Sequence, residues 1–284
     1  MNCRSRGRPV VRVKEQILRL KAAGDSHIGL KRKVNEDSYL LNPETGLFVI
    51  ADGMGGHRAG DVASRIVVDT INDYWVKVGN NRPPAFIEKT GKDLPDMARH
   101  LVNSISLANL IIYEAQQKPQ YQGMGSTVSA LLVDKDFIWS ANVGDSRVYL
   151  SAGGTLRIIS EEHSVEAEQR DMGLFNPHNS SNPFIKNLLT RALGLNKKVD
   201  AFITSFEPAP GDMILMCSDG LTNFTSEESI RMTLNDASLS IEKKVKKLIN
   251  TANKEGGGDN ITVILLEILP KGPWSRLKNR LKIR

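Results

Sequence analysis

Cysteine is nearly absent. Cys3 and Cys217 are the only two in 284 residues, which argues against a disulfide framework. Cys217 closes the apolar run Met213–Cys217 and reads as an inert core thiol, whereas Cys3 lies in a basic tail. Histidine is sparse as well: the five are scattered, without the spacing of a zinc site. Long apolar runs are missing. No stretch of about 18 apolar residues is present, which excludes a conventional transmembrane helix. The basic N-terminus is not followed by an apolar segment of roughly 7–15 residues, which argues against a secretory leader. The expectation is a cytoplasmic protein and a monomer.

What is present is an ordinary globular composition, 40% hydrophobic and 25% charged, in a chain long enough for one large domain or two small ones. The net charge of +6 is unevenly spread. Residues 1–33 hold ten Lys or Arg against Glu15 and Asp25, and residues 270–284 hold six with no acid, so the middle of the chain is net acidic. An acidic middle suits a site that gathers cations. The basic ends have the charge to touch nucleic acid or an anionic surface, although a solvated tail is the plainer reading. Trp274 amid Arg276, Lys278, Arg280 and Lys282 lends the nucleic-acid reading slight support. Residues 273–283 also have the pattern of a short basic amphipathic helix suited to a membrane surface.

Residues 1–15 offer no period and read as a flexible basic segment. A first strand is predicted at Ile17–Lys21, a turn at Gly24–Gly29, and strands at Ser38–Leu41 and from Leu47 to Asp52. Val62, Ile66, Val67, Ile71, Tyr74 and Val78 fall at helical spacing, as do Met97, Leu101, Ile105, Ala108 and Ile112. Four short runs (128–133, 137–143, 147–150 and 156–159) with turns between them predict an antiparallel meander, with Gly144–Ser146 as one hairpin. Residues 161–186 are the least regular and read as a flap or long loop. Strands follow at Val199–Phe206, Met213–Ser218 and Ile261–Leu266. A helix capped by Ser226 begins at Glu227, and another carries Ile241, Val245, Leu248 and Ile249. Strands and helices come in blocks, which predicts an α+β fold of two packed antiparallel sheets with helices outside.

The stretch Leu47-Phe-Val-Ile-Ala-Asp52-Gly53-Met54-Gly55-Gly56-His57 organises the site. A buried strand ends on a carboxylate, which is costly unless the charge is paired or metal-bound. Asn35-Glu36-Asp37, Asp219-Gly220 and Gly258-Asp259 repeat the theme, and Gly144-Asp145 adds a fifth case. Carboxylates gathered at one edge repel and call for divalent cations. Ligation by oxygen alone selects Mg²⁺ or Mn²⁺. Two such ions can activate a water for in-line attack on phosphorus, and the planar fork of Arg32 suits a phosphate. Any one Asp-Gly is only a common turn. Asp134, Asp136 and Asp212 serve as contrasts, read as solvated turn residues.

Taken in order, Gly29-Leu-Lys-Arg32-Lys-Val-Asn-Glu-Asp37, Ala51-Asp52-Gly-Met-Gly-Gly-His57, Gly123-Met-Gly-Ser-Thr127, Ala141-Asn-Val-Gly-Asp145-Ser-Arg-Val-Tyr149, Leu189-Thr-Arg-Ala-Leu-Gly194, Cys217-Ser-Asp219-Gly-Leu221 and Gly257-Gly-Asp259-Asn-Ile-Thr-Val263 resemble the motif series of bacterial PP2C-type (PPM family) protein serine/threonine phosphatases. The resemblance spans about residues 17 to 268. It implies an αββα sandwich over residues 16–269, flanked by the basic ends 1–15 and 270–284, with a flap at 161–186. It implies hydrolysis of phosphoserine and phosphothreonine in proteins by a metal-activated water, opposing a cognate serine/threonine kinase in a bacterial signalling circuit. It also implies ligand roles. Asp52 bridges two metals, the Gly53 carbonyl binds the second, and Asp219 and Asp259 bind the first. Asp37, with Glu36 as the alternative, serves the second metal through water. Asp145 joins Asp219 at a third ion, and Arg32 binds the substrate phosphate. The sequence departs from animal members at Met54, where they carry a histidine taken as the general acid. His57 or a metal-bound water would fill that role here. The flap entry reads Glu162-His163-Ser164 where the family usually has Asp-His-Ser, and His163 is read as a structural hydrogen-bonder. Two other readings compete: a pseudo-phosphatase that binds a partner without turnover, disfavoured because every metal aspartate is present, and the basic-tailed nucleic-acid binder.

Overall fold

The computed structural model describes residues 18–55, 59–87, 93–174 and 188–270. The basic ends, His57 and the second half of the predicted flap therefore lie outside the described residues.

Alternation within apolar runs builds two sheets. In β3 (Leu47–Met54), Leu47, Val49 and Ala51 point to one side and Phe48 and Ile50 to the other. In β10 (Met213–Cys217), Met213, Leu215 and Cys217 point outward while Ile214 and Met216 point inward. Both faces of these strands are buried, which explains the unbroken apolar runs. The first sheet runs β1 (Arg19–His27), β11 (Ile261–Leu269), β10, β7 (Arg147–Ala152) and β8 (Thr155–Ile158) in that order. The second runs β2 (Asp37–Asn42), β3, β5 (Val128–Asp134), β6 (Phe137–Val143) and β9 (Phe202–Phe206), with the short β4 (Gly125–Ser126) on the end of β3. Every pairing is antiparallel.

The inner faces form one core, with Phe48, Ile50, Leu131 and Ile138 of the second sheet against Val148, Ile214, Met216, Ile264 and Leu266 of the first. Helices α1 (Ala59–Gly79) and α2 (Asp96–Ala115) cover the second sheet through the predicted stripes, among them Val67, Ile71, Leu101 and Ile105. After α3 (Val165–Asp171) and the short α4 (Asp219–Thr222) come α5 (Glu227–Asn235) and α6 (Ile241–Lys254), which cover the first sheet with Ile230, Val245, Leu248 and Ile249. Ser226 caps α5 as predicted, its Oγ accepting the Ser229 N–H at 3.2 Å. The layers are α, β, β, α, the expected architecture. Among the described residues no helix is long and apolar enough to cross a membrane.

Three local expectations are corrected. The chain does not turn at Gly24–Gly29; β1 continues to His27, paired residue for residue with β11. Gly24 is there for closeness, since a Cβ would meet Ile264 and Leu41 side-chain atoms at 3.1 Å. The four-strand meander is split. β5 and β6 pair in one sheet and β7 and β8 in the other, so Gly144–Ser146 is a crossing between sheets and not a hairpin. Part of the irregular segment is helical: Ser164 Oγ accepts the Ala167 N–H at 3.1 Å and starts α3.

The inter-sheet core should dominate stability. Phe48 is fully buried in it, and Phe48→Ala is expected to cost about 3–5 kcal/mol. Urea denaturation measures this directly; a loss below about 1 kcal/mol would contradict the packing described.

Candidate active site

The acidic residues sit where strands begin and end. Asp37 opens β2 and lies directly opposite Asp52 of β3 in the ladder. Asp219 opens α4 just after β10 ends, Asp259 stands two residues before β11, and Asp145 lies in the crossing from β6 to β7. The antiparallel order of β10 and β11 puts the end of one beside the start of the other.

Hydroxyls and amides hold these ends together. Asp37 Oδ2 accepts from Ser218 Oγ at 2.8 Å and from Thr262 Oγ1 at 2.6 Å, so a residue of the second sheet is tied to two positions of the first. The Thr262 hydroxyl is supported in turn by Ser26 Oγ at 2.7 Å, which accepts from Asn35 Nδ2 at 2.9 Å. Asn260 fixes the loop between β1 and β2. Its Nδ2 donates to the Ile28 and Val34 carbonyls, and its Oδ1 accepts the Glu36 N–H at 2.8 Å. Asp52 is held through its backbone, whose N–H donates to Thr127 Oγ1 at 3.0 Å and whose carbonyl accepts the Thr127 N–H at 2.8 Å. Gly53 must be glycine, because a Cβ would lie 1.9 Å from the Gly60 carbonyl oxygen. Gly220 is in the same position against the Asn260 carbonyl.

Burial and mutual repulsion push the carboxyls toward the neutral form. Asp37 is raised to about 7, first by burial, against the help of its two hydroxyls, with Asp219 and Asp259 adding to the rise. Asp145 is raised to about 7 by burial and then by Asp219. Asp219 is raised to about 6 by burial and Asp259. Asp52 is raised well above the usual carboxylate range by burial, then by Asp37, Asp219, Asp145 and Asp259. The structure thus brings the other four predicted aspartates within electrostatic reach of Asp52. The Asn223 amide, donating to Asp219 Oδ2 at 2.9 Å, offsets part of the rise at Asp219.

Two buried oxygens, Asp37 Oδ1 and Asp219 Oδ1, have no hydrogen-bond partner. Their orphaned state and the all-oxygen donor set fit a hard divalent cation. Among the described residues no three acidic, histidine or cysteine side chains form a ready-made ligand set, so the fit rests on donor chemistry and burial. Arg32 is half exposed and donates from Nη2 to Asp259 Oδ2 at 2.8 Å, with Glu36 Oε2 3.7 Å from Nη1. The predicted phosphate anchor therefore stands on a predicted ligand. The Glu36 carboxylate lies against Gly60, where a Cβ would meet it at 2.5 Å. His57 lies outside the described residues. His163 is the structural hydrogen-bonder expected: its backbone N–H donates to the Gly144 carbonyl at 3.0 Å and its ring Nδ1 accepts the Gly144 N–H at 3.1 Å. Ser218, Thr262, Asn260 and Thr127 were not predicted as site residues. Asp212, one of the contrasts, closes its own turn by accepting the Ala209 N–H at 2.8 Å.

Residues 23–265 match the family described as protein phosphatase 2C. The serine/threonine phosphatase Stp of Listeria welshimeri is 37% identical over 230 residues, covering 80% of this chain and 86% of its own. The serine/threonine phosphatase PstP/Ppp of Mycobacterium tuberculosis superposes with a TM-score of 0.75 at 31% identity, over 88% of this chain and 99% of its own. A structure of the PstP catalytic domain in complex with two manganese ions superposes with a TM-score of 0.74 at 30% identity, over 89% of this chain and 100% of its own.

The raised carboxyls set a pH dependence. A group whose folded pKa exceeds its unfolded value stabilises below the unfolded pKa and loses that contribution as pH rises through the folded one. For Asp37, Asp145 and Asp219 the window runs from about 4 to about 7. With EDTA present, the thermal midpoint should fall by about 5 °C or more between pH 5 and pH 8. Added Mn²⁺ should flatten or reverse the slope, because metal binding strengthens as carboxyls deprotonate. A flat profile in EDTA would overturn the electrostatic account.

Proposed function

The chain belongs to the protein phosphatase 2C family and is a metal-dependent protein serine/threonine phosphatase, and on that premise we propose the division of labour within its site. Asp52 would serve two divalent ions, joined by the Gly53 carbonyl at the second and by Asp219 and Asp259 at the first. Asp37 would serve the second ion through water, with Glu36 as the alternative donor. Asp145 would join Asp219 in holding a third ion. The observation that carries this reading is the buried carboxylate cluster with its two unpartnered oxygens on Asp37 and Asp219. When bound, such ions neutralise the cluster and activate water for attack on phosphorus.

The chain's own groups do the rest. The Ser218 and Thr262 hydroxyls hold Asp37 in one orientation, so its free oxygen stays directed away from them. Arg32 presents two guanidinium N–H groups to the phosphate oxygens of the substrate once it leaves Asp259, a bidentate geometry that lysine cannot copy. Protonation of the leaving serine or threonine oxygen falls to His57 or to a metal-bound water. Manganese is the ion to test first, supported by its presence in the related PstP structure, with magnesium as the alternative. We place the protein in the cytoplasm as a monomer opposing a cognate serine/threonine kinase, with residues 1–15 and 270–284 flanking the catalytic domain and making weak contact with anionic surfaces. Its composition and basic ends support this reading.

Two measurements test the assignment. Phosphate release from a phosphothreonine peptide should require Mn²⁺, stop in EDTA and be abolished by Asp52→Ala; release undiminished in the variant would remove Asp52 from the centre. If His57 is the acid, His57→Ala should slow the peptide by about 10²–10⁴-fold and spare p-nitrophenyl phosphate, whose leaving group needs no proton. Equal losses on both substrates would return the role to water.

A further inference from the structure

One face of α6 takes no part in the apolar core. The helix buries Ile241, Val245, Leu248, Ile249 and Ala252 against the first sheet. Its opposite face carries Lys243, Lys246, Lys247, Asn250, Thr251 and Lys254, at helical intervals of three and four. These six residues line an open depression of about 360 Å³. The stripe contains no acidic residue. Like charges at such intervals destabilise a helix, yet only Lys247 is relieved among the described residues, by Asp236 at 3.5 Å.

The stripe leads to the active site. Lys254 is five positions ahead of Asp259. The loop after β1 rests on the same end of the helix, its Leu30 N–H donating to the Gly257 carbonyl at 2.7 Å. That loop exposes Lys31 and Lys33 on either side of Arg32. The α6 stripe, about 17 Å long, thus ends on a segment hydrogen-bonded to the loop that carries Lys31 and Lys33, with Glu255 as the one exposed acid between Lys254 and Asp259. An extended segment of five or six residues would cover it.

Building on the phosphatase reading above, we propose that this stripe docks an acidic segment of the phosphoprotein substrate, flanking the phosphorylated residue. Charge selects the occupant. Both ends of this chain are basic and would be repelled from the stripe. A membrane surface is disfavoured because the apolar side of α6 is already buried in the core, which leaves nothing to insert.

The test compares wild type with the triple variant Lys243→Gln, Lys246→Gln, Lys254→Gln, both loaded with Mn²⁺. Four substrates are used: a phosphothreonine peptide with neutral flanks, two peptides with an acidic run on one side or the other, and p-nitrophenyl phosphate. Wild type should prefer one acidic peptide over the neutral one by about three- to tenfold in kcat/KM at low ionic strength, carried by KM, and the preference should fade by about 0.5 M salt. The variant should lose the preference and keep its rate on the neutral peptide and on p-nitrophenyl phosphate. Equal turnover of all three peptides by wild type, or a preference that survives in the variant, would overturn the proposal. So would equal peptide turnover combined with binding to phosphatidylglycerol vesicles that the variant loses, which would assign the stripe to a membrane. Turnover of none of the four substrates would instead strike at the phosphatase reading and take the docking proposal with it.

Discussion

Repulsion among buried carboxylates is the constraint on which the molecule turns. Five aspartates stand at one edge of a sandwich whose interior is mostly apolar, and they raise the cost of ionising one another. Nothing in the local sequence favours such a gathering. It is imposed by strand pairing, which sets Asp37 opposite Asp52, and by the apolar core between the sheets, which fixes the separation of Asp37 from Asp219 and Asp259. The site is unstable in itself and is carried by the rest of the fold, a common trade between activity and stability.

Small residues make the gathering possible. Gly53 and Gly220 each lie where any side chain would strike a neighbouring carbonyl, so backbone can approach backbone beside Asp52 and Asp219. The hydroxyls of Ser218, Thr262, Ser26 and Thr127 are short enough to be buried without filling the space the carboxylates occupy, and each finds a partner. Larger polar groups would satisfy the same hydrogen bonds only by displacing the acids they support.

Much of this was legible in the sequence, for identifiable reasons. Apolar runs that stop at Asp52 and Asp219 announce buried strands with charged ends, and helical spacing announces the cover of α1, α2 and α6. The split of β6 and β7 between sheets was not legible, because Gly144-Asp145-Ser146 has the composition of a hairpin and only long-range pairing decides otherwise. Gly24 misled for a similar reason: glycine marks a turn or a close approach, and only the neighbouring Leu41 and Ile264 distinguish them. The hydroxyl cradle carries no periodic signal, since Ser218 and Thr262 look like ordinary strand residues until Asp37 is set beside them. His57 and positions 175–187 lie outside the described residues, so those readings rest on motif alone.

The hydrogen bonds that close the site join distant parts of the chain. Thr262 is 225 residues from Asp37, and Asp259 is 227 from Arg32. Strand β1 pairs with β11, near the two ends of the described fold. During synthesis, then, a nascent chain that stops short of Asp259 has no partner for β1, no Thr262 to complete the Asp37 cradle and no Asp259. Local pieces such as the β2–β3 hairpin can form early, but the centre closes only when the last strand arrives, a late step typical of high-contact-order folds. A product cut short of Asp259 would lack one of the five acids and half of the Asp37 cradle, so completion of the centre waits on the last strand.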